Sequence, residues 1–240
     1  MPLHTLEPQR LYRQIAEQLR QLMASGEFAV GSRLPAERNL ALQLGVSRPS
    51  VREALIALEV EGMIEVRTGS GIYVQNTSSQ QRKSSAPVSD TSPEWGPLEV
   101  MSARIIVEAE VAALAAQCAQ KKDLLAIRSA LKKMKLEAAR DEVPRWGDEA
   151  FHDGIAKACG NSVLLDTVQR FWQARNSPLF ERLGDYFEHP ASWQAAITEH
   201  QAVLEAIEAR DSAGARRAMQ KHLKQAYKRY SASWRRAPAR

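Results

Sequence analysis

The chain has 240 residues, 44% of them apolar and 25% charged, with a net charge of +5 and a pI near 9.3. That length builds two ordinary domains or one large one, and the composition excludes global disorder, a collagenous chain and a disulfide scaffold. Cys118 and Cys159 lie in apolar, helix-like sequence and are expected as reduced core residues; with no apolar run of the ~18 residues that span a bilayer and no signal core at the N-terminus, the expectation is a cytoplasmic protein with no membrane partner.

A stripe of Leu11, Ile15, Leu19, Leu22 and Met23, closed by Gly26, predicts a first helix. Pro35 near a first turn and Gly45 at the end predict a second over 35–44. Ser47 as N-cap, with Pro49 tolerated in the first turn, predicts a third running to about Glu61. The β-prone runs 63–66 and 72–74 flank Thr68-Gly69-Ser70-Gly71, a hairpin signal. Helix, helix, tight turn, helix, hairpin is the order of a winged helix-turn-helix, assigned to residues 1–75. Residues 76–93 hold six serines and two prolines, with only Ala86 and Val88 apolar, and read as a flexible linker.

Residues 94–240 show no strand alternation. Helices are expected over about 97–119, 122–141, 145–159, 162–184, 191–209 and 212–234, with breaks at Pro144, Gly160-Asn161, His189-Pro190 and Asp211. That pattern is an antiparallel all-α bundle, so the fold class is mainly α.

A helix-turn-helix lays the start of its recognition helix in the major groove. Here that start is Ser47-Arg48-Pro49-Ser50-Val51-Arg52. Arg48 and Arg52 are four apart and share a face, and Arg reads guanine O6 and N7 bidentately. Ser47 and Ser50 can donate to phosphate from the helix start. Val51, Leu55 and Leu58 are expected in the core, Arg38 at the groove edge, and Gly69 and Gly71 at a closely approaching wing tip. The competing reading is a solvated face in which the arginines pair with Glu53 or Glu59.

Asp148 and His152 stand at i, i+4 on one helix face. His200 and His222 also fall on apolar-patterned helices, whereas His4 and His189 read as terminus and loop. A carboxylate and imidazoles suit zinc, nickel and related divalent ions.

Two sets of residues carry a resemblance. Pro35-Ala36-Glu37-Arg38-Asn39-Leu40, Gly45-Val46-Ser47-Arg48-Pro49-Ser50-Val51-Arg52-Glu53-Ala54-Leu55, Leu58-Glu59 with Gly62, and Arg67-Thr68-Gly69-Ser70-Gly71 resemble the GntR family of bacterial transcription regulators. The resemblance implies a homodimer on a palindromic operator, with Arg38, Ser47, Arg48, Ser50, Arg52 and Gly69 contacting DNA. Arg104 to Glu108, Asp148 to Asn161, Glu199 to Ile207 and Asp211 to Leu223 are similar to the FCD ligand-binding domain of the FadR subfamily. This implies a divalent metal ion held by Asp148, His152, His200 and His222, zinc first, with nickel or manganese as alternatives. It also implies an effector that is a small carboxylate.

Arg104 and Arg175 are the candidate clamps for that carboxylate, with Asn161 as a hydroxyl or amide partner; a salt bridge or helix cap is the competing role for each. Phe171, Trp172 and Trp193 are read as core packing that could also line a pocket. Residues 171–179 and 96–104 resemble the hexuronate-responsive branch, which implies a sugar acid. The resulting reading is a regulator, acting as a repressor, and not an enzyme. Two rivals stay open: a metal-dependent hydrolase, and a DNA-binding protein with a purely structural metal site.

The charge is unevenly placed. Residues 1–75 carry eight basic and eight acidic residues, whereas Ser212 to Arg240 carry nine basic and no acidic ones. DNA binding must therefore depend on where individual arginines point. The basic C-terminal end adds phosphate contacts or is a solvated end.

Overall fold

The computed structural model describes residues 11–67, 69–77 and 95–231. The expected linker lies outside the described residues from Ser78 onward, as do Thr68 of the wing tip and everything after Ser231. The described residues fall into two compact units, divided between Gly96 and Pro97.

The N-terminal unit is α1 (Leu11–Ala24), α2 (Glu37–Leu44), α3 (Arg48–Val60), β1 (Ile64–Arg67) and β2 (Gly71–Val74). Of the stripe on α1, Ile15, Leu19 and Met23 are buried and, with Tyr12 and Ala16, pack toward α3, whereas Leu11 is exposed and Leu22 half-buried. Each large apolar side chain so buried contributes about 1.5–3 kcal/mol. Val51, Leu55 and Leu58 of α3 are fully buried, as the pattern predicts. The turn between α2 and α3 depends on Gly45, whose φ of 65° is left-handed and whose N–H caps the carbonyls of Ala41 and Leu42. Only glycine takes that conformation without a Cβ penalty. β1 and β2 pair antiparallel from Ile64 opposite Val74 to Arg67 opposite Gly71, and Arg33 adds a bridge to Tyr73 that periodicity does not reveal.

The C-terminal unit is all-helical: α4 (Pro97–Cys118), α5 (Lys121–Ala139), α6 (Arg145–Ala158), α7 (Ser162–Arg175), α8 (Pro178–Phe187), α9 (Pro190–Glu208) and α10 (Ser212–Tyr230). The helix expected over 162–184 is two helices, α7 and α8. Pro178 has no N–H and disfavours helical backbone at Ser177, so Ser177 ends one segment and caps the next through Phe180 N–H. Ala109, Ala112, Ala113, Ala115 and Ala116 are buried on α4, and this small-residue surface allows its close packing with α10. α5 and α6 also pack closely, at Gly147. A Cβ on Gly147 would lie 2.5 Å from Met134 Cγ and 2.7 Å from the Met134 backbone nitrogen. Cys159 is buried, but Cys118 is exposed, which corrects the expectation of two core thiols; both are free. No described helix is long and apolar enough to cross a membrane.

Candidate functional site

The start of α3 is built by its cap. Ser47 Oγ accepts from Ser50 N–H at 3.3 Å, and the two hydroxyls lie 2.8 Å apart. The side chains of Arg38, Ser47 and Arg48 are exposed, as is Gly69 on the wing, and Ser50 is half-buried. Arg52 departs from expectation. It is 0% exposed, and its Nε and Nη2 donate to the Glu37 carboxylate at 2.8–2.9 Å. Arg48 Nε donates to the same carboxylate at 2.9 Å. The reason is that α3 is buried around most of its circumference from Val51 to Ile56, so one turn past the free helix end Arg52 lies inside. Burial draws its guanidinium below the ordinary value against the pull of Glu37. Glu59, a weighed partner for these arginines, instead accepts from the N–H of Val66 and anchors the wing.

The second site is inside the helical unit. Asp148 and His152 come from α6, His200 from α9 and His222 from α10, and all four are buried. One donor atom from each lies within 4.8 Å of all the others. His200 Nε2 is 2.9 Å from Asp148 Oδ1 and 3.3 Å from His152 Nε2, and His152 Nε2 is 3.5 Å from Asp148 Oδ1.

The remaining ring nitrogens are occupied from outside. His152 Nδ1 pairs with Glu108 Oε2, His200 Nδ1 meets the Ala196 carbonyl at 2.6 Å, and His222 Nδ1 meets Glu199 Oε2 at 2.8 Å. An acceptor at each Nδ1 fixes the tautomer that leaves the Nε2 lone pair free. Arg175 Nη1 holds Asp148 Oδ2 at 2.9 Å. Burial opposes a charge on His152, but Glu108 and Asp148 raise it above the ordinary imidazole value. Burial and the neighbouring His200 and His152 push His222 well below the usual imidazole range, so it stays neutral. Burial alone would raise Asp148, but its contacts with His152 and His200 and the charge of Arg175 hold it well below the carboxylate range. For Glu108 the same contest between burial and Arg104 with His152 ends at about 2. Three neutral-capable imidazoles and one carboxylate at this spacing fit a divalent cation of the zinc type.

Beside these donors lies a cavity, partly open to solvent, whose wall includes Asp148 and His222. Arg104, Arg175 and Arg229 also line it. Arg104 is buried and paired with Glu108, and both Arg104 and Arg175 lie over the Trp172 ring, at 4.6 and 4.5 Å from its centroid. Trp193 lines the cavity, while Phe171 and Trp172 are buried behind it. Asn161 is not part of this site. It is exposed, and its side chain caps α7 by accepting from Val163 and Leu164 N–H at 3.0 and 3.2 Å. The break at Gly160-Asn161 already carries that capping signal. Glu108, Glu199 and Glu188 are missed by sequence reasoning. An acid four residues from an Arg, as Glu108 is from Arg104, has the spacing of an ordinary surface pair.

Residues 11–74 match the model of the gntR family of bacterial regulatory proteins, and residues 99–225 match the FCD domain. The chain is 35% identical over 218 residues to the Uxu operon transcriptional regulator of Escherichia coli strain K12, covering 90% of this chain and 84% of that protein. It is 37% identical over 224 residues to the Exu regulon transcriptional regulator of the same strain, with 90% and 83% covered. It is 34% identical over 215 residues to the Uxu operon regulator of Haemophilus influenzae, with 89% and 79% covered.

Proposed function

Because the chain belongs to the GntR family of bacterial regulatory proteins and carries an FCD domain, and is therefore a DNA-binding transcription regulator, we propose that its operator affinity is set by a small carboxylate bound beside a divalent metal ion. The family and these relatives are transcription regulators, which removes the hydrolase reading. The single observation that carries the proposal is the convergence of four buried donors, two of which, Asp148 and His222, stand on the wall of a cavity that three arginines also line.

On this reading the protein is a homodimeric repressor on a palindrome, one N-terminal unit per half-site, with residues 76–93 as linker and 94–240 as the effector and dimerisation domain. Arg38, Ser47, Arg48, Ser50 and Gly69 face the duplex, and Arg52 joins them only by leaving Glu37. Asp148, His152, His200 and His222 hold the ion. When bound, it supplies positive charge and a coordination position for an anionic oxygen. Arg104 and Arg175 set the charge and orientation of the carboxylate. The names of the relatives, Uxu and Exu, and the resemblance noted above support a hexuronate as that effector.

The effector acts only if it binds the DNA-free arrangement more tightly than the DNA-bound one. A gel-shift titration of the metal-loaded protein on its operator tests this. Release of DNA by glucuronate or galacturonate is the expected result. Operator binding indifferent to every sugar acid and small carboxylate offered would sink the effector reading and leave a structural metal site.

A further inference from the structure

α10 carries six basic side chains and no acidic one. Two of the six are paired inside the helical unit. Arg216 Nε holds Glu110 Oε1 at 2.6 Å, and Arg229 Nη1 holds Glu199 Oε1 at 3.2 Å. The other four, Arg217, Lys221, Lys224 and Lys228, are exposed. Their spacing of 4, 3 and 4 residues, at about 100° per residue, brings them within an arc of about 60°. The buried side chains of the helix, Ala215, Met219, His222, Leu223 and Tyr230, occupy the opposite side. Lys221, Lys224 and Lys228 form no ion pair among the described residues. Arg217 has only Asp211, 3.9 Å away, and both of those side chains are exposed. The result is a row of four positive charges about 16 Å long on the outer face of the bundle.

Like charges three and four apart on a helix repel one another, so the row is relieved by a polyanion with regularly spaced charges. The phosphate backbone of a duplex is one: about 16 Å covers about five base-pair steps along a strand. Two other anionic partners fit less well. Protein interfaces are depleted of Lys and centre on apolar or aromatic anchors, but the residues bordering the row are Ala213, Gln220, Gln225 and Ser231. An anionic membrane takes up the apolar face of a helix, and here that face is packed into the bundle. DNA is already a partner of this chain, and residues 1–75 bring no net charge to it, with eight basic and eight acidic residues. We infer that Arg217, Lys221, Lys224 and Lys228 form a second DNA-contacting surface, in the helical unit, that binds phosphates without reading bases. This surface is separate from the contacts of α3 and the wing, and it stands whether or not an ion or a carboxylate binds within the bundle.

The test is fluorescence anisotropy of the full-length protein on a mixed-sequence duplex of about thirty base pairs over a range of salt. Each phosphate contact adds about 0.9 to the slope of log affinity against log salt. Lys221→Gln/Lys224→Gln/Lys228→Gln removes three of the four charges and keeps good helix formers. It should flatten the slope by about 2–3 per protomer and weaken binding at low salt about tenfold or more. Lys224→Gln/Lys228→Gln, which leaves the neighbour of His222 untouched, should give about two-thirds of that change. Lys121→Gln/Lys122→Gln/Lys132→Gln removes the same charge from exposed positions on α5 and should leave the slope as it is in the wild type. A wild-type slope in the α10 variants overturns the proposal. An equal flattening in the α5 variant does so too, because it marks a response to net charge alone. A wild-type slope together with a lost dimer on sedimentation overturns it in favour of a contact between copies of the chain.

Discussion

Glu37 and Arg52 form a clasp beneath the recognition helix: the acid of α2 takes two guanidinium nitrogens at 2.8–2.9 Å, and neither side chain is open to solvent. Removing Glu37 takes from the buried Arg52 charge its carboxylate, at about 3–5 kcal/mol, whereas removing Arg52 leaves Glu37 its pair with Arg48 and costs less. Arg52→Ala and Glu37→Ala should each lower the unfolding midpoint of the N-terminal unit by calorimetry. A wild-type midpoint for Arg52→Ala would refute the clasp.

Arg48 shares that carboxylate but has a half-exposed side chain, so its loss should show in DNA binding and not in stability. Arg48→Ala is expected to cost about 1–3 kcal/mol of operator affinity and to relax preference at one base pair. Arg38→Ala should weaken all sequences alike and flatten the salt dependence. Fluorescence anisotropy over a set of single-base operator variants separates the two patterns.

Zinc added to chelator-treated protein should stabilise the helical unit by about 2.7 kcal/mol at a hundredfold excess over Kd and so raise its thermal midpoint. His200→Ala should abolish the gain, because His200 Nε2 touches both Asp148 and His152. An identical midpoint with and without metal would exclude an ion at these residues.

Glu108→Gln should weaken metal affinity by roughly tenfold to a hundredfold, since Glu108 orients His152 from outside. Acidification should weaken binding too: burial opposes a charge on His152, but Glu108 and Asp148 raise it above the ordinary imidazole value, and a ring that takes up a proton cannot hold the ion. The sign for Glu108 is opposite in kind. Its folded value of about 2 lies below that of an unfolded glutamate, so its contribution is present above the unfolded value and is lost only in strong acid. Competition with a zinc indicator at about pH 8 and about pH 5.5 should therefore show loss in the wild type from the imidazoles alone.

The order of elements and the Asp148–His152 pair were legible in the sequence because each rests on a local signal, whereas His200 and His222 join that pair only through the resemblance to the FCD domain. Ser47 before Pro49, Gly45 in the turn and the i, i+4 pair Asp148–His152 all act within one turn of helix. The division of α7 from α8 has the same kind of signal, Ser177 before Pro178, but apolar residues continue across it from Phe171 and Trp172 to Phe180 and Leu183. Periodicity alone carries straight through such a kink. The inward turn of Arg52 and the role of Glu108 depend on partners 15 and 44 residues away, respectively, and no spacing rule reports contacts of that range.

Gly147→Ala should destabilise the helical unit and weaken metal affinity together, because the added methyl meets the Met134 backbone on α5 one residue from Asp148. Paired thermal-unfolding and zinc-titration measurements check both effects. Normal zinc affinity in a destabilised variant would show that the strain stops short of the site.

The same contact has a mechanical consequence. A helix keyed this closely to its neighbour has no clearance to slide, so α6, with Asp148 and His152, is the fixed jaw around the cavity.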